Sequence, residues 1–452
     1  MYEKFIKKIY SIKNSNNTIE YLKLLEKTQW FDKNKIYKIQ QQKMKVLMKH
    51  AYFNVPYYHK IFDDRNLKPD DIKTVEDLIK LPILTKENIR NNFNRIIARN
   101  LPRYEMIPSQ TGGSSGVPLR FFLTRESKDW SNAAALRAYQ WAGYELGDKQ
   151  AIVWGSPIDL SLAQEYKNRI KNILLRNIIL DSSSMSEKSM KKFVEKLNRF
   201  KPKIIRGYSS GIYVFAKFLE ANNIQIKTEA VITTAESLNM YQKNKIENIF
   251  KCKVYDFYGS REIASIASEC SEKHGYHISS ENVILEIIKD NEQVINDETG
   301  NIIITNLNNY ALPFIRYEIG DLGKNTDETC SCGRGLPLLR SLEGRNTDII
   351  ITRDGNFVTS VVLTLIFGNL PVKKYQIIQE SYDDFIVNIV KENDYSHNDT
   401  NNIIKGMSKY IKKDINVKIN FVDLIEPAKS GKNKIIISKI PLSNVFSNSC
   451  GF

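Results

Sequence analysis

The first hundred residues carry apolar side chains at helical spacing on a charged background. Leu22 and Leu25 lie in one charged stretch, and Val46 and Leu47 lie in another. No glycine occurs in the first 111 residues, and glycine is the residue that most weakens a helix interior after proline. The pattern predicts a mostly helical segment over residues 1–103.

From about residue 104 the pattern changes to short apolar runs that alternate with helical stretches. The runs are Ala151–Trp154, Ile204–Ile205, Ala230–Ile232 and Lys253–Tyr258. Such alternation predicts an α/β core with parallel strands over residues 104–345. Residues 283–288 and 301–305 are rich in Ile and Val and predict a later antiparallel region, with a hairpin turn at Asp297–Gly300.

The last hundred residues form a pattern of their own. Apolar runs predict strands at 349–351, 375–378, 385–390 and 417–422, and a helix is predicted near 397–412. We therefore expect a small α+β domain over residues 346–452, with the boundary near Gly344–Arg345. The chain of 452 residues is long enough for two or three domains.

Composition limits the classes of protein that this chain can be. The net charge is +15, but the lysines are scattered among asparagine and isoleucine rather than gathered in blocks. A solvated basic surface explains the charge better than a nucleic-acid interface, for which we find neither a recognisable module nor aromatic residues interleaved with basic ones. No run approaches the ~18 apolar residues of a membrane span. The start lacks a signal-peptide pattern, so we expect a cytoplasmic protein.

The segment Thr111-Gly112-Gly113-Ser114-Ser115-Gly116-Val117-Pro118 is the most informative in the chain. Its glycines allow several backbone N–H groups to point at one anion, and its hydroxyls add donors for phosphate oxygens. It differs from the GxxxxGK[ST] loop because no lysine follows the last glycine. The apolar flanks Tyr104–Ile107 and Leu119–Leu123 predict strands on either side of this loop.

This loop resembles the phosphate-binding motif of the adenylate-forming enzymes, in the variant of the phenylacetate–CoA ligases and the capsule-biosynthesis (CapK-like) ligases. Val117 stands where that motif usually has lysine. The lead-in segment Leu81–Lys86 also resembles that branch. The resemblance implies a large adenylate-forming lobe with a helical lead-in and a small mobile C-terminal lid. It also implies ATP and Mg²⁺ as cofactors, with CoA as a possible co-substrate.

Further motifs follow in the order that this family has. Tyr258-Gly259-Ser260-Arg261-Glu262 resembles the segment whose tyrosine stacks on adenine and whose glutamate binds magnesium. Glu236 lies in a segment similar to the family's adenine side. Gly207 and Tyr208 follow a strand at the place that lines the acyl pocket. Asp321 matches the aspartate that binds both ribose hydroxyls.

The end of the chain supplies the remaining matches. Arg345 lies in a segment that resembles the hinge between the two domains, and the resemblance makes it a catalytic and nucleotide-binding candidate. Lys432 lies in a Ser-Gly-Lys segment whose lysine bridges the carboxylate and the α-phosphate in the family. A mobile ammonium suits a place where two negative charges meet. Lys434 is the fallback.

Four residues predict a metal site that is separate from the nucleotide. Cys270, His277, Cys330 and Cys332 offer three thiolates and one imidazole, the ligand set of a closed structural zinc site. Thiols in the cytosol stay reduced, which makes a disulfide a poor explanation. His274 is the alternative to His277. The family branch shows a similar cysteine–histidine pattern.

These observations predict an ATP-dependent ligase that forms an acyl-AMP from a small carboxylic acid. The acyl group then passes to a thiol, with CoA favoured. The alternatives are a carrier-protein thiol, or an amine or hydroxyl of a sugar or amino acid in polysaccharide or natural-product biosynthesis. A homodimer is possible, and nucleic-acid binding is the least favoured function.

Overall fold

The computed structural model describes residues 17–111, 119–154, 172–182, 187–236, 238, 240–294, 297–345, 349–353, 357–359, 363, 366–367, 370–412, 414–426 and 435–440. The helices in this part of the chain are α1 (Thr18–Thr28), α2 (Lys33–Asn54), α3 (Pro56–Asp64), α4 (Lys86–Asn91), α5 (Arg125–Trp141), α6 (Glu187–Phe200), α7 (Ser209–Ala221), α8 (Met240–Phe250) and α9 (His397–Tyr410). The first three confirm the predicted helical lead-in.

The same part of the chain contains twenty strands. They are β1 (Ile107–Gln110), β2 (Arg120–Leu123), β3 (Gln150–Val153), β4 (Asn177–Leu180), β5 (Ile204–Tyr208), β6 (Ala230–Thr234), β7 (Lys253–Tyr258), β8 (Ala267–Glu269), β9 (Tyr276–Ile278), β10 (Val283–Lys289), β11 (Glu292–Gln293), β12 (Thr299–Asn306), β13 (Tyr317–Thr326), β14 (Leu338–Arg345), β15 (Ile349–Ile351), β16 (Phe357–Thr359), β17 (Val372–Gln379), β18 (Asp384–Lys391), β19 (Asn416–Phe421) and β20 (Ile436–Ser438).

Twelve of these strands form one sheet, in the order β11-β10-β12-β13-β14-β9-β8-β7-β6-β5-β3-β4. The strands from β4 to β7 pair in parallel, and those from β7 to β11 pair antiparallel. Parallel strands need helical crossovers, which α7 and α8 supply between β5, β6 and β7. The predicted α/β core with a later antiparallel region is confirmed.

Each face of the sheet buries its own apolar layer. On one face of the parallel half, α6, α7 and α8 contribute Phe193, Phe215 and Phe250 to a core with the strands. On the other face, α1 and α5 pack Leu25 and Trp130 against it. The antiparallel half packs against the lead-in helices α2 and α3 and the turns that follow them. The carboxyl ends of the parallel strands lie together at one edge of the sheet.

A buried polar clasp ties the start of the described chain to its middle. Arg137 on α5 forms an ion pair with Glu281 at 2.7 Å between Nη1 and Oε1, and both side chains are 1% exposed. The hydroxyl of Thr28 donates to the same carboxylate oxygen at 2.5 Å. Gly335 N–H donates to Gln29 O at 3.0 Å, and a Cβ on Gly335 would lie 1.8 Å from Phe31 O. Glycine is required there because backbone meets backbone.

The described part of the last hundred residues makes two further sheets. One has the order β19-β18-β17-β20, and β15 and β16 form a hairpin. Helix α9 covers the four-stranded sheet through Ile403 and Met407. This arrangement confirms the predicted small α+β fold. The boundaries of the three predicted parts, 1–103, 104–345 and 346–452, remain predictions.

Two local predictions were wrong. Residues Arg103–Glu105 form a short 3₁₀ helix after Pro102, so the strand before the glycine-rich loop begins at Ile107 rather than Tyr104. The hairpin turn after β10 lies at Asp290 and Asn291, which join β10 to β11, rather than over Asp297–Gly300. Asp290, Asn291 and Asp297 all have positive φ. Thr299 and Gly300 already belong to β12. Asp and Asn tolerate the left-handed region, which explains the turn.

Among the described residues, no helix combines the length and the apolar character needed to span a bilayer.

Candidate active site and cysteine cluster

Several predicted site residues meet at the carboxyl edge of the parallel strands. Strands β3, β5, β6 and β7 end at Val153, Tyr208, Thr234 and Tyr258, and their neighbours pair in register. In open α/β sheets this edge is where ligands bind, because the loops that follow the strands surround a crevice. The topology therefore brings Tyr208, Glu236 and Tyr258 to one edge, although they are up to fifty positions apart.

The predicted adenine and ribose residues touch each other directly. The Tyr258 hydroxyl donates to Asp321 Oδ2 at 2.8 Å. Tyr258 ends β7, whereas Asp321 lies within β13, on the antiparallel half of the sheet. Asp321 pairs across the ladder with Arg345 at the end of β14, which places the backbone of the predicted hinge arginine beside the predicted ribose residue.

Glu262 is held by a second tyrosine. Tyr317 at the start of β13 donates its hydroxyl to Glu262 Oε1 at 2.8 Å, and both residues are buried. Burial raises the pKa of Tyr317 above its usual range, so the phenol stays protonated and donates. We call Tyr258, Glu262, Tyr317 and Asp321 the nucleotide-side cluster. It consists of two carboxylates, each fixed by one phenol.

The turn between Tyr258 and Glu262 requires its glycine. A Cβ on Gly259 would lie 2.0 Å from Ala264 O, so no other residue fits without moving the backbone. Ser260 N–H donates to Ile263 O at 2.9 Å, and Ser260 Oγ accepts from Ile263 N–H at 3.0 Å. Ser260 thus closes a tight turn that fixes the direction of Glu262.

The glycine-rich loop is pinned at both ends. Thr111 N–H donates to Leu119 O, and Leu119 N–H donates to Thr111 Oγ1, each at 2.9 Å. Strands β1 and β2 form the antiparallel hairpin that carries it. Gly112, Gly113, Ser114, Ser115 and Gly116 lie outside the described residues, as do Lys432 and Lys434, and Arg345 is described through its backbone alone.

The predicted acyl side is built from close backbone contact and aromatic rings. A Cβ on Gly207 would lie 1.9 Å from Val153 O, so β3 and β5 approach closely at this point. Tyr208 stacks on Trp154 with ring centroids 4.4 Å apart. The carbonyl of Glu236 accepts from Ser209 Oγ at 3.0 Å, which ties the segment after β6 to the start of α7.

Two further cations, Lys86 and Arg90, lie on α4 near β13, and the sequence did not reveal their position. Leu84 exchanges backbone hydrogen bonds with Arg316 and Glu318, at 2.8 and 3.0 Å, which docks α4 against β13. Lys86 Nζ then lies 3.4 Å from Ile319 O. The charge of Arg90 acts on Tyr317 and lowers its pKa, against the larger effect of burial.

A signal for one of these cations was present in the sequence. Thr85 caps the helix that begins at Lys86, and the first turn of a helix disfavours a cation because the macrodipole is positive there. A lysine at that position therefore needs a reason outside the helix. Trp154 and Tyr317 were also missed, and no sequence pattern distinguishes them from core aromatics.

The structure brings the four predicted metal ligands together. The ligand atoms of Cys270, His277, Cys330 and Cys332 all lie within 4.8 Å of one another. The sulfurs of Cys270 and Cys330 are 3.6 Å apart, and Cys332 Sγ is 3.3 Å from His277 Nε2. Tetrahedral zinc sites separate their ligand atoms by about 3.5–3.8 Å. We call these four residues the cysteine cluster.

The surroundings of the cysteine cluster fit a cation. Burial lowers the pKa of His277 to about 4, so its imidazole is neutral near pH 7 and has a lone pair to offer. Gly333, directly after the cysteine pair, has a φ of +80°, as a tight knuckle requires. His274 is not in the group. It lines a surface depression with Glu269, Lys273 and Arg340.

Comparisons with known proteins find similarity to CapK, to phenylacetate–CoA ligases and to the fold of another CoA ligase. A family profile described as the CapK C-terminal domain matches residues 350–439. Protein CapK of Staphylococcus aureus is 28% identical over 426 residues, 90% of each chain. A phenylacetate–coenzyme A ligase of Aromatoleum evansii is 27% identical over 341 residues, 73% of this chain and 75% of that one. A crystal structure of 2-hydroxyisobutyryl-CoA ligase with 2-HIB-AMP has a TM-score of 0.71 at 18% identity, over 91% of both chains.

Proposed function

Because this chain is an adenylate-forming enzyme of the CapK and phenylacetate–CoA ligase branch, and so an AMP-forming carboxylate ligase, we propose that it transfers its activated acyl group to the thiol of CoA. Activation of a carboxylic acid as acyl-AMP is the first step.

The observation that carries the proposed nucleotide site is the contact of Tyr258 with Asp321. A phenol and a carboxylate from opposite halves of the sheet meet at 2.8 Å at the strand edge. In our proposal Tyr258 holds the adenine, and Asp321 accepts from the ribose hydroxyls. Gly259, Ser260 and Glu236 complete the nucleoside side.

The phosphates of ATP need positive charge and donors. We propose that Thr111 and the loop from Gly112 to Gly116 supply the donors. Glu262 would hold Mg²⁺, which supplies the charge that neutralises the phosphates. The loop carries Val117 where the motif usually has lysine. In our proposal Lys86 and Arg90, which lie on α4, supply positive charge in place of that lysine.

The reacting groups are two anions that repel each other. We propose that Lys432 bridges the carboxylate of the acid and the α-phosphate, which lowers the barrier by charge stabilisation. Arg345 adjoins Asp321 across the strand ladder and adds a second cation near the hinge. Gly207 and Tyr208 would line the acyl pocket.

The cysteine cluster belongs to the same proposal as a structural element. Three thiols and one imidazole leave no open position around a tetrahedral ion. We propose one structural Zn²⁺ per chain, held by Cys270, His277, Cys330 and Cys332. It would take no part in the reaction.

A second acceptor class has its own support. The similarity to CapK covers 90% of the chain, whereas the similarity to the phenylacetate–CoA ligase covers 73%. The profile that matches the C-terminal domain is also that of CapK. We therefore keep as the alternative acceptor the one that the capsule-type resemblance implies, an amine or hydroxyl of a sugar or amino acid in polysaccharide biosynthesis.

One experiment separates these possibilities. Purified protein with ATP and Mg²⁺ is screened for pyrophosphate release across aryl, alkyl and amino acids. The acid with the largest release is then offered CoA, lysine or an amino sugar, and acyl products are measured by mass spectrometry. We expect a CoA thioester. Faster formation of an amide or ester than of the thioester would replace CoA by the alternative. No pyrophosphate release with any acid would contradict the assigned nucleotide site.

A further inference from the structure

An ion pair links the large lobe to the C-terminal domain. Lys217 on α7 pairs with Glu392, which directly follows β18. The two positions are 175 residues apart in the chain. Their side chains are 38% and 25% exposed, so the pair is partly shielded from water and keeps more of its attraction than a fully exposed pair.

Both partners stand on rigid supports. The neighbours of Lys217 on α7, which include Phe215, Ala216 and Leu219, are buried in the core beneath the helix. Glu392 N–H donates to Pro371 O at 2.9 Å, and its carbonyl accepts from Tyr395 N–H at 3.3 Å. Because neither backbone can follow the other, the pair exists in one relative orientation of the two domains.

Glu392 has a second lysine within reach on its own domain. Lys373 Nζ lies 3.9 Å from Glu392 Oε2, on the other side of the carboxylate from Lys217. If the C-terminal domain turns away from α7, Lys373 remains beside the carboxylate. After separation Glu392 keeps Lys373 as a partner, and the Lys217 ammonium, whose side chain is already 38% exposed, is left to water. The contact can therefore open and close at low cost.

We propose that Lys217 and Glu392 are a positioning pair that sets the balance between two orientations of the C-terminal domain, and hence between the two partial reactions. This inference rests on the proposed function, in which the same domain serves acyl-AMP formation and then acyl transfer. Neither residue touches the reacting groups. The pair stabilises the orientation seen in this structure over the other one.

The contact itself is tested without any substrate. A water-soluble carbodiimide joins a lysine amine to a carboxylate that touches it, with loss of water to the reagent. After treatment of the full-length protein, peptide mass spectrometry should detect a Lys217–Glu392 amide. The Lys373–Glu392 amide is the internal control, because both residues are in one domain. Lys217→Arg keeps the charge but should lose the first product alone.

The role of the pair is tested by charge reversal. Lys217→Glu, Glu392→Lys and the double exchange, all in a Lys373→Ala background, are assayed for acyl-AMP formation and, separately, for consumption of acyl-AMP by the acceptor, with the acid chosen by pyrophosphate release. The background removes Lys373, which would otherwise repel the lysine placed at position 392. Each single reversal should change the two partial rates in opposite directions by roughly two- to fivefold, the range for partly exposed pairs. The double exchange should restore both rates. Lys245→Glu is the matched control, since Lys245 pairs with Glu220 within the large lobe.

The outcomes are distinct. A Lys373–Glu392 product without a Lys217–Glu392 product overturns the contact. Partial rates that fall together, or a double exchange that restores neither, overturn the positioning role. If no acid releases pyrophosphate in the unmodified protein, the adenylation assignment fails instead, and the cross-link still decides whether the two domains meet through this pair.

Discussion

The nucleotide-side cluster and the cysteine cluster both gather largely buried polar groups beside one sheet, but they are stabilised differently. Glu262 and Asp321 each accept a hydrogen bond from a tyrosine at 2.8 Å. In the cysteine cluster the thiols of Cys270 and Cys330 face each other, and the thiol of Cys332 faces the imidazole of His277. Thiols are weak donors and weak acceptors. In the first cluster each carboxylate already has a phenol donor, whereas the second leaves its polar atoms poorly satisfied.

The nucleotide-side cluster is therefore preorganised, whereas in our proposal the cysteine cluster depends on a metal for its stability. A site whose carboxylates are already oriented can bind a nucleotide without reordering its own side chains, which favours affinity and rate. A cluster of poorly satisfied groups gains its stability from the ion that it binds. Mutations in the first cluster should therefore change activity more than folding, and mutations in the second should do the reverse.

The largest expected effect is on stability, from Cys330→Ser. The variant should hold less than about a tenth of an equivalent of zinc, and its free energy of unfolding should fall by on the order of 3 kcal/mol. Metal analysis and denaturant unfolding measure the two effects. Cys252→Ser is the control, since Cys252 is a free cysteine outside the cluster. Full zinc content in Cys330→Ser would show that the four residues do not act together.

The largest expected effect on activity is from Lys432→Ala. The variant should lose acyl-AMP formation by on the order of a hundredfold, because one charge stabiliser is removed from the transition state. Its unfolding midpoint and its ATP affinity should remain close to those of the parent. Pyrophosphate release is the measurement, with Lys434→Ala as the matched control. If the control loses activity and Lys432→Ala does not, the catalytic lysine is Lys434.

Asp256 on β7 accepts a hydrogen bond from Tyr276, the neighbour of His277, at 2.8 Å, and it should link stability to pH. Burial raises the pKa of this carboxyl to about 6, above the unfolded value, so folding favours its protonated form. Its contribution to stability is complete below pH ~4 and is lost as the pH rises through about 6. Relative to Asp256→Asn, the parent should lose about 2 kcal/mol between pH ~4.5 and ~6.5. Unfolding at several pH values is the measurement, and a constant difference would contradict it.

Two substitutions in the nucleotide-side cluster should distinguish an effect on ATP binding from an effect on the catalytic rate. Asp321→Ala should raise the KM for ATP about tenfold, because one charged hydrogen-bond acceptor is lost. Glu262→Gln keeps an acceptor for Tyr317 and should lower kcat about tenfold with a smaller change in KM. Steady-state pyrophosphate release at varied ATP and Mg²⁺ measures both. Full activity of both variants at limiting ATP would mean that the nucleotide binds elsewhere.

The smallest expected effect is from Lys86→Ala. Its ammonium is partly buried near β13 but touches no carboxylate of the cluster, so its attraction to phosphate acts at some distance. We expect kcat/KM for ATP to fall about three- to fivefold at low salt and less at high salt. Lys60→Ala is the control, because Lys60 pairs with Asp64 on α3. An equal loss in both variants would indicate a general charge effect.

The sequence predicted the elements better than their contacts. The strand at 253–258 and the helix at 397–410 were readable from the periodicity of their apolar residues. The four members of the cysteine cluster were readable because thiols and imidazole are rare in this chain, which has 5 Cys and 5 His. Position in sequence did not reveal that Tyr317 would reach Glu262, since that contact depends on how β13 lies beside the turn after β7.

Two kinds of structural feature could not be predicted from the pattern of apolar and polar residues. The start of β1 and the reversal at Asp290–Asn291 depend on local backbone choices that several residues could satisfy. The docking of α4 against β13 depends on two backbone hydrogen bonds between distant segments. Neither kind leaves a periodic signal, because backbone donors and acceptors are the same at every residue.

The clasp of Thr28, Gln29 and Phe31 on Glu281 and Gly335 also constrains how the chain is made. Thr28 and Glu281 are 253 positions apart. A ribosome adds about 5–20 residues each second, so α1 and α2 emerge well over ten seconds before their partners. During that time the core that buries Leu22, Leu25 and Ile36 lacks Cys330, Leu336 and Leu338, so it stays incomplete even after α5 has emerged. The start of this chain should therefore be a substrate for chaperones during synthesis.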